Sequence, residues 1–152
     1  MKIFYTFLLI IFITPAISQD LETASVRTSI LQMFEAFNKG DTAGMKDFFF
    51  PGTRLLTAYE TKDGTPMLSD EKHEKFIESV GAPRENKWYE HLIDIEVNVD
   101  GRMACAWVPY SFYINDKLSH CGVNAFQLFK NSDGWKIVNL MDTRSRTGCL
   151  EK

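Results

Sequence analysis

Side chains that could transfer a proton are the first feature of this chain that bears on function. General acid–base chemistry needs a carboxylate or an imidazole in an apolar pocket, opposed by a hydroxyl or a neutral acid that stabilises developing negative charge. The residues that meet this requirement by type are Tyr59, Tyr110, Tyr113, Asp94, Asp142, His91 and His120. No short motif ties one of the tyrosines to one of the acids, so the sequence defines candidates without defining a catalytic pair.

The three cysteines, Cys105, Cys121 and Cys149, could supply a nucleophilic thiolate or metal ligands. They lack the close spacing of a zinc site. His120 precedes Cys121, but neighbouring side chains in a strand point to opposite faces, so this imidazole is not placed to activate that thiol. The cysteines are therefore predicted to be buried and structural, and no metal site is predicted.

Two helices are predicted at the start of the folded part, the first from about Leu21 to Lys39. Its apolar residues recur at the spacing of one helical face. They are Val26, Ile30, Met33, Phe34 and Phe37. Gly40 follows as a helix-ending glycine, and Asp41 can cap a second, short helix over about Thr42 to Phe49, before Pro51.

The next segment is predicted as a strand and a third helix. The strand runs from Thr53 to Thr61 and ends in a turn at residues 62–64, and the helix runs from about Asp70 to Val80. His73 lies in a run of charged residues near the start of this helix. That run is typical of a solvated helix face rather than of a metal cluster.

From Lys87 onward the apolar residues alternate with a period of two, which predicts strands. A long strand is expected from Met103 to Ile114, and turn-forming residues separate the strands at positions 100–101, 115–116 and 131–134. Pro109 lies within the long strand, where it cannot donate a ladder hydrogen bond, so it predicts a bulge or an edge and a bend in the sheet. Helices followed by an antiparallel meander predict an α+β fold.

Strand parity assigns the candidates to two faces of this sheet. If the hairpins close with two-residue loops, Tyr110, His91 and Asp142 share one face with most of the aliphatic residues. The other face then carries Cys105, Trp107, His120, Asn124, Phe126, Asn139 and Met141. Both faces mix apolar and polar groups, so the parity leaves open which of them lines a pocket and which meets a partner.

The same register constrains the disulfides. Cys105 and Cys121 lie on adjacent strands but roughly 16 Å out of register, whereas a disulfide tolerates a Cα separation of about 4.4–6.8 Å. Cys149 follows the last strand, and the antiparallel return brings Arg144 beside Cys121. The pair Cys121–Cys149 is therefore predicted as the one able to bond, closing a loop that contributes about 3 kcal/mol.

Residues 1–18 are predicted to be an export signal. Lys2 is followed by an apolar run from Ile3 to Ile13 and by small residues at Ala16 and Ser18. The rest, 19–152, is predicted to be a single domain that is exported to the periplasm or secreted after cleavage near Ser18. The net charge of −3 argues against a nucleic-acid partner, and no membrane association is expected once the signal is removed.

The order of elements resembles the nuclear transport factor 2-like superfamily, and most of all its SnoaL-like and lumazine-binding-like branch. The resemblance covers about Leu21 to Cys149. The residues that carry it are His120-Cys121-Gly122, Phe126, Leu128, Asp133-Gly134-Trp135-Lys136-Ile137 and Asp142-Thr143-Arg144. These motifs indicate a fold rather than an activity, because the superfamily hosts enzymes, binding modules and proteins of no known activity.

The resemblance implies a cone-shaped cavity, enclosed by a strongly bent antiparallel sheet and closed by the N-terminal helices. The predicted pocket residues are Trp107, Tyr110, His120, Asn124, Phe126, Asn139 and Asp142. The first functional hypothesis is an exported protein that binds a small hydrophobic ligand without a cofactor. The alternatives are an isomerase- or cyclase-like enzyme acting on a hydrophobic carbonyl compound, and a purely structural module. A homodimer packed through the exposed sheet face is also predicted, because aromatic residues occupy both faces.

Overall fold

A long N-terminal helix lies across one face of a curled seven-stranded sheet in the computed structural model, which describes residues 15–83 and 85–150, with side chains from residue 19. The helices are α1 (Pro15–Lys39), α2 (Thr42–Lys46) and α3 (His73–Gly81). The strands are β1 (Phe49–Glu60), β2 (Pro66–Lys72), β3 (Trp88–Leu92), β4 (Glu96–Asp100), β5 (Met103–Ile114), β6 (Lys117–Asn131) and β7 (Gly134–Thr143). Most of the predicted export signal lies outside the described residues.

The strand order is β2-β1-β7-β6-β5-β3, and β4 also pairs with β5. The α+β class is confirmed. The sheet is mixed rather than wholly antiparallel, because β1 pairs in parallel with β7, while the other pairs are antiparallel. This parallel pairing joins the first strand to the last one, so the hairpin β1–β2 extends the curled sheet on the side of α3.

The apolar face predicted for α1 is confirmed, because all five of its residues are buried. They pack on the sheet face that we call the inner face, where Phe34 meets Phe126 edge-on at 6.2 Å between ring centroids. An aromatic pair of this kind contributes about 0.5–1.5 kcal/mol beyond the area that it buries. The helix therefore covers part of the inner face, and the uncovered part forms a wall of a cavity.

Two predicted helix boundaries are wrong for the same reason. Residues 49–60 and 66–72 form the β1–β2 hairpin, so α2 ends at Lys46 and α3 begins only at His73. Strand β2 is exposed along its whole length and shows no apolar alternation that the sequence could reveal. His73 is also corrected: it is only 8% exposed, stacks on Phe49, and its Nδ1 lies 3.2 Å from the Thr53 carbonyl oxygen.

The turn at Asn115 and Asp116 is confirmed as a two-residue loop in which both residues have positive φ, 51° and 63°. Strand β6 then contains a bulge. Tyr113 pairs with Leu118, but Phe112 pairs with His120, so Ser119 is an extra residue. From His120 onward every side chain of β6 lies on the face opposite to the one predicted. A second shift between Gln127 and Leu128 occurs where β6 meets β7.

Pro109 pairs in register with Val123 of β6, so β5 itself carries no extra residue there. On the other side of β5 the predicted irregularity is confirmed, because the partner chain, interrupted between Leu92 and Glu96, has one residue more than β5 opposite Pro109. In that gap Ile93 donates a backbone hydrogen bond of 2.8 Å to the Pro109 carbonyl oxygen. A residue without an N–H group is tolerated beside such an interruption, because no regular ladder partner is required there.

The disulfide prediction is confirmed: Cys121 and Cys149 are bonded, with their Cα atoms 5.5 Å apart. Ser145, one residue beyond the predicted Arg144, forms the backbone bridge opposite Cys121. Cys105 corrects the prediction that all three cysteines are buried, because it is free and exposed. The disulfide holds the C-terminal segment against the first part of β6, beside His120.

Gly122 is the position where the backbones approach most closely. A Cβ atom at Gly122 would lie 1.8 Å from the carbonyl oxygen of Thr143, a main-chain atom. That same oxygen accepts a hydrogen bond of 3.0 Å from the Tyr110 hydroxyl. Only glycine therefore allows β6, the end of β7 and Tyr110 to meet in this arrangement.

We expect Gly122→Ala to lower the free energy of unfolding by about 2 kcal/mol or more, because the Thr143 main chain must move and release Tyr110. Gly64→Ala is the control. A Cβ atom at Gly64 would meet no neighbour within 4 Å, and its φ is +82°, so Gly64→Ala should cost only about 1 kcal/mol of backbone strain. Urea unfolding measures both variants, and equal effects would contradict the proposed close approach at Gly122.

Candidate functional site

A cavity of about 630 Å³ lies between α1, α3 and the uncovered part of the inner sheet face. Its apolar wall comprises Met33, Phe34, Phe37, Leu55, Phe76, Trp88, Phe112, Ile114 and Leu140. Its polar lining comprises Thr57, Ser69, Asp70, Glu71, Ser79, Glu90, Tyr110, Ser119, His120, Asn124, Asp142 and Arg144. Cross-strand pairing explains why these residues meet, since paired positions place their side chains on the same face.

Aromatic rings form a continuous part of the wall, with Phe112 at its centre. The Phe112 ring lies 6.4 Å from Phe37, 6.0 Å from Trp88 and 4.9 Å from His120, measured between centroids. Phe37 in turn stacks on Phe76 at 5.8 Å. The wall therefore joins α1, α3, β3, β5 and β6, and it offers ring surfaces to anything that enters the cavity.

Asp142, on β7, is held by one group from β1 and one from the segment just after β7. Its Oδ1 accepts a hydrogen bond of 2.5 Å from the Thr57 hydroxyl, and its Oδ2 accepts one of 2.8 Å from Arg144 Nε. Arg144 Nη2 also donates to Thr57 at 3.3 Å. Asp142 and Arg144 thus form an ion pair in which the Asp142 carboxylate is buried. With both oxygens occupied, this carboxylate is an anchor for Arg144 rather than a free base.

The Tyr110 hydroxyl lies beside this carboxylate, 3.4 Å from Asp142 Oδ2. Its single proton has a closer acceptor, the Thr143 carbonyl oxygen at 3.0 Å. Burial, followed by the negative charges of Asp142 and Glu90, raises the pKa of Tyr110 above its ordinary value. Tyr110 therefore remains a phenol that donates hydrogen bonds and does not become a base near neutral pH.

Glu90 is the titratable group that the cavity perturbs most clearly toward neutral pH. Burial raises the pKa of its carboxyl to about 8, and the charge of Asp142 adds to this, while Asn124 and Arg144 oppose it. Asn124 Nδ2 donates a hydrogen bond of 2.7 Å to Glu90 Oε1. The other carboxyl oxygen, Oε2, has no hydrogen-bond partner among the described residues. Every buried side-chain oxygen of these residues does have a partner, so Oε2 is not buried and is open to the cavity that Glu90 lines.

The imidazole of His120 is neutral near pH 7. Burial lowers the pKa of its imidazole to about 4, and Arg144 and Arg146 lower it further against the opposing effect of Asp142. The ring stacks on Phe112, and Ser119 Oγ lies 3.2 Å from Nδ1. A neutral, stacked imidazole adds ring surface and a hydrogen-bonding nitrogen, but it carries no charge at pH 7.

Comparison with solved structures identifies the fold. A variant of a Mycobacterium tuberculosis protein of unknown function is 17% identical, with a TM-score of 0.71 over 89% of this chain and 78% of the other. A nuclear transport factor 2-like protein with a cystatin-like fold from Novosphingobium aromaticivorans is 12% identical, with a TM-score of 0.67 over 88% of this chain and 89% of the other. The chain has the nuclear transport factor 2-like fold.

A third similar structure is a nuclear transport factor 2-like protein of unknown function from Shewanella baltica, 14% identical, with a TM-score of 0.61 over 84% of this chain and 97% of the other. No protein-family model and no curated protein sequence matches the chain. The shared nuclear transport factor 2-like fold therefore establishes the architecture, and the SnoaL-like and lumazine-binding-like branch stays a prediction.

The structure brings four of the predicted pocket residues together, namely Tyr110, His120, Asn124 and Asp142. Trp107 and Asn139 are corrected, because the bulge at Ser119 leaves them on the outer face, opposite the cavity. Phe126 is on the inner face but is packed in the core under Phe34. The other acid–base candidates do not line the cavity. They are Tyr59, Tyr113, His91 and Asp94.

Glu90 was missed by the sequence analysis. The available signal is its position between Trp88 and Leu92, two apolar residues that share its strand face. A carboxylate flanked in this way is a candidate for burial. Within 15–83 and 85–150, no group of three or more His, Cys, Asp or Glu side chains could hold a metal ion, and no helix is long and apolar enough to cross a membrane.

Replacing Glu90 with Gln should stabilise the protein at high pH and leave it unchanged at low pH. The pKa of the Glu90 carboxyl is 4.5 in the unfolded chain and about 8 in the folded protein, so below pH 4.5 it is protonated in both. Above pH 4.5 it ionises first in the unfolded chain, which stabilises the unfolded state relative to the folded one. Wild-type stability should therefore fall between pH 4.5 and 8. The variant should be more stable by on the order of a few kcal/mol at pH 8.5 and by about zero at pH 4.

Urea unfolding at the two pH values measures this difference. Glu96→Gln is the matched control, because Glu96 is exposed on the neighbouring strand β4 and should show no pH-dependent gain. A gain of the same size at pH 4 and pH 8.5 would show that the effect of Glu90→Gln does not come from ionisation.

Proposed function

We propose that this nuclear transport factor 2-like protein is an exported protein that binds a small, largely apolar molecule in the cavity between α1, α3 and the inner sheet face. The observation that carries the proposal is the cavity itself. Its volume of about 630 Å³ lies within the range of about 300–1,000 Å³ that is typical of ligand pockets. An aromatic wall with a few converging polar groups is the composition expected of such a site.

The arrangement of the polar groups supports binding better than it supports catalysis. Thr57, Asp142 and Arg144 are committed to one another, and Tyr110 is committed to the Thr143 carbonyl. These contacts make a rigid end wall that can orient a ligand without reorganising. Rigid, pre-formed polar groups reduce the entropy lost on binding.

A cavity-filling substitution tests the proposal. We expect Leu140→Trp to abolish binding of the uncharged fluorescent probe N-phenyl-1-naphthylamine, because residue 140 lines the cavity. Met141→Trp is the matched control, since Met141 pairs with Ala125 on the outer face and the same new side chain leaves the cavity open. Fluorescence titration gives both affinities. Equal binding by the two variants would place the probe elsewhere and count against the proposal.

An enzyme acting on a hydrophobic carbonyl compound is the second candidate, and Glu90 is the observation that favours it. A carboxyl with a pKa of about 8 in an apolar cavity can give or take a proton near neutral pH. Deuterium exchange from D₂O into 2-tetralone tests this candidate. Exchange that is catalysed by the wild type and lost in Glu90→Gln would support an enzyme, and equal exchange in both would reject Glu90 as the base.

Export and dimerisation complete the proposal. Export is supported by the charged start, apolar run and small residues of positions 1–18, and a mature chain that begins near Gln19 in the native host would support it. A homodimer is supported by exposed apolar side chains on the outer face. These are Phe50, Met103, Trp107, Phe129 and Met141.

The dimer is tested by placing a charge in that patch. We expect the wild type to sediment as a dimer at micromolar concentration and Trp107→Glu to sediment as a monomer, because a buried unpaired carboxylate opposes association. Leu31→Glu is the control, since Leu31 on α1 and Trp107 on the sheet are both 53% exposed. A monomeric wild type would reject the dimer.

A further inference from the structure

The charges that line the cavity are unevenly balanced. Asp142 is paired with Arg144, and Asp70 is paired with Arg54. Glu90 and Glu71 also line the cavity, and neither has a cationic partner among the described residues. Arg144 is the cation of the lining, and it is already bound to Asp142. Among the described lining residues, carboxyl groups therefore outnumber positive charges.

Strand pairing places Glu90 next to the aromatic wall. It pairs directly with Phe112 across β3 and β5, and Trp88 lies two residues before it on the same strand face. Phe112 is the ring that contacts Phe37, Trp88 and His120. The Glu90 carboxyl, with Oε2 open to the cavity, thus belongs to the same stretch of sheet face as Phe112 and Trp88.

We propose that the cavity binds an organic cation, a hydrophobic amine or quaternary ammonium compound, with its charge beside Glu90 and the rings of Trp88 and Phe112. This inference rests on the proposed ligand-binding function and specifies the class of ligand. Aromatic rings attract cations through the negative charge on their faces, and several rings together are a known means of recognising ammonium groups. The apolar part of the ligand then packs against Phe37 and Phe76.

A bound cation would change the preferred protonation state of Glu90. Without a ligand, burial favours the protonated form of the Glu90 carboxyl, which has a pKa of about 8. An ammonium group next to Oε2 favours the carboxylate, so binding at neutral pH releases the Glu90 proton to solvent. Asn124 keeps its hydrogen bond to Oε1 in both states and holds the carboxyl in place.

The other charged and titratable groups around Glu90 do not reverse this pH dependence. On β5, Tyr110 has a raised pKa and remains protonated, and on β6, His120 has a pKa of about 4 and remains neutral. On β7 and just beyond it, Asp142 and Arg144 neutralise each other. The lining residues of α1 and α3 are Met33, Phe34, Phe37, Phe76 and Ser79, none of which is charged, and those of β2 include Asp70 and Glu71.

The direction of the pH dependence separates a cationic ligand from a carbonyl ligand. A quaternary ammonium does not titrate, so its affinity should rise as Glu90 ionises. If only the carboxylate form of Glu90 binds the ammonium, the affinity can rise by at most about 100-fold between pH 6 and pH 9, because its pKa is about 8. A ketone that accepts a hydrogen bond from the protonated carboxyl should instead bind more weakly as the pH rises.

Isothermal titration calorimetry with benzyltrimethylammonium and with 4-phenyl-2-butanone tests the inference on the intact, disulfide-bonded protein. We expect the affinity for the ammonium to rise at least tenfold from pH 6 to pH 9. Glu90→Gln retains an acceptor for Asn124, and it should lose both this rise and at least tenfold of the affinity at pH 9. Glu96→Gln, outside the cavity, should behave like the wild type, and circular dichroism checks that each variant is folded.

Three outcomes would overturn the inference. The first is an ammonium affinity that does not change with pH, and the second is an affinity that is the same in Glu90→Gln. The third is binding of the ketone without binding of the ammonium, which rejects the cation but supports the cavity as a ligand site. If neither probe binds, the proposed ligand-binding function fails together with the inference.

Discussion

One extra residue in a single strand decides which side chains meet in the cavity. Ser119 has no partner in β5, so the side chains of β6 after it lie on the opposite face from the one that a regular hairpin would give. His120 and Asn124 thereby join Tyr110 and Asp142 on the inner face. Without the bulge these polar groups would lie on two sides of the sheet, and the cavity would be lined by Val123 and Ala125 instead.

The far end of the cavity is held together by close main-chain packing and by a covalent bond. Gly122 allows the Thr143 carbonyl to turn toward Tyr110, and the disulfide between Cys121 and Cys149 holds the following segment against β6. Arg144 lies between these two constraints and reaches Asp142 and Thr57. The position of the charged pair is therefore set by backbone geometry, which leaves its side chains little freedom to rearrange when a ligand enters.

Glu90 shows that the cavity is not arranged for stability alone. A carboxyl whose pKa is raised by burial destabilises the folded protein above its unperturbed pKa, and an uncharged residue of similar size would avoid this. Asn124 satisfies one of its oxygens, and the other is open to the cavity. Such a group resembles the strained or destabilising features that proteins retain where they bind or react.

The sequence by itself determined the class of fold, the apolar face of α1, the long strand from Met103 to Ile114 and the pairing of Cys121 with Cys149. These features depend on local periodicity, on turn-forming residues and on chain geometry, which a sequence displays directly. Strand β2, the burial of His73, the bulge at Ser119 and the role of Glu90 were decided only by the tertiary structure. Each depends on a partner distant in the chain: β1 holds β2, Thr53 meets His73, β5 leaves Ser119 unpaired, and Asn124 and the aromatic wall surround Glu90. Because a one-residue shift reverses the faces of a whole strand, alternation alone could not assign the cavity residues.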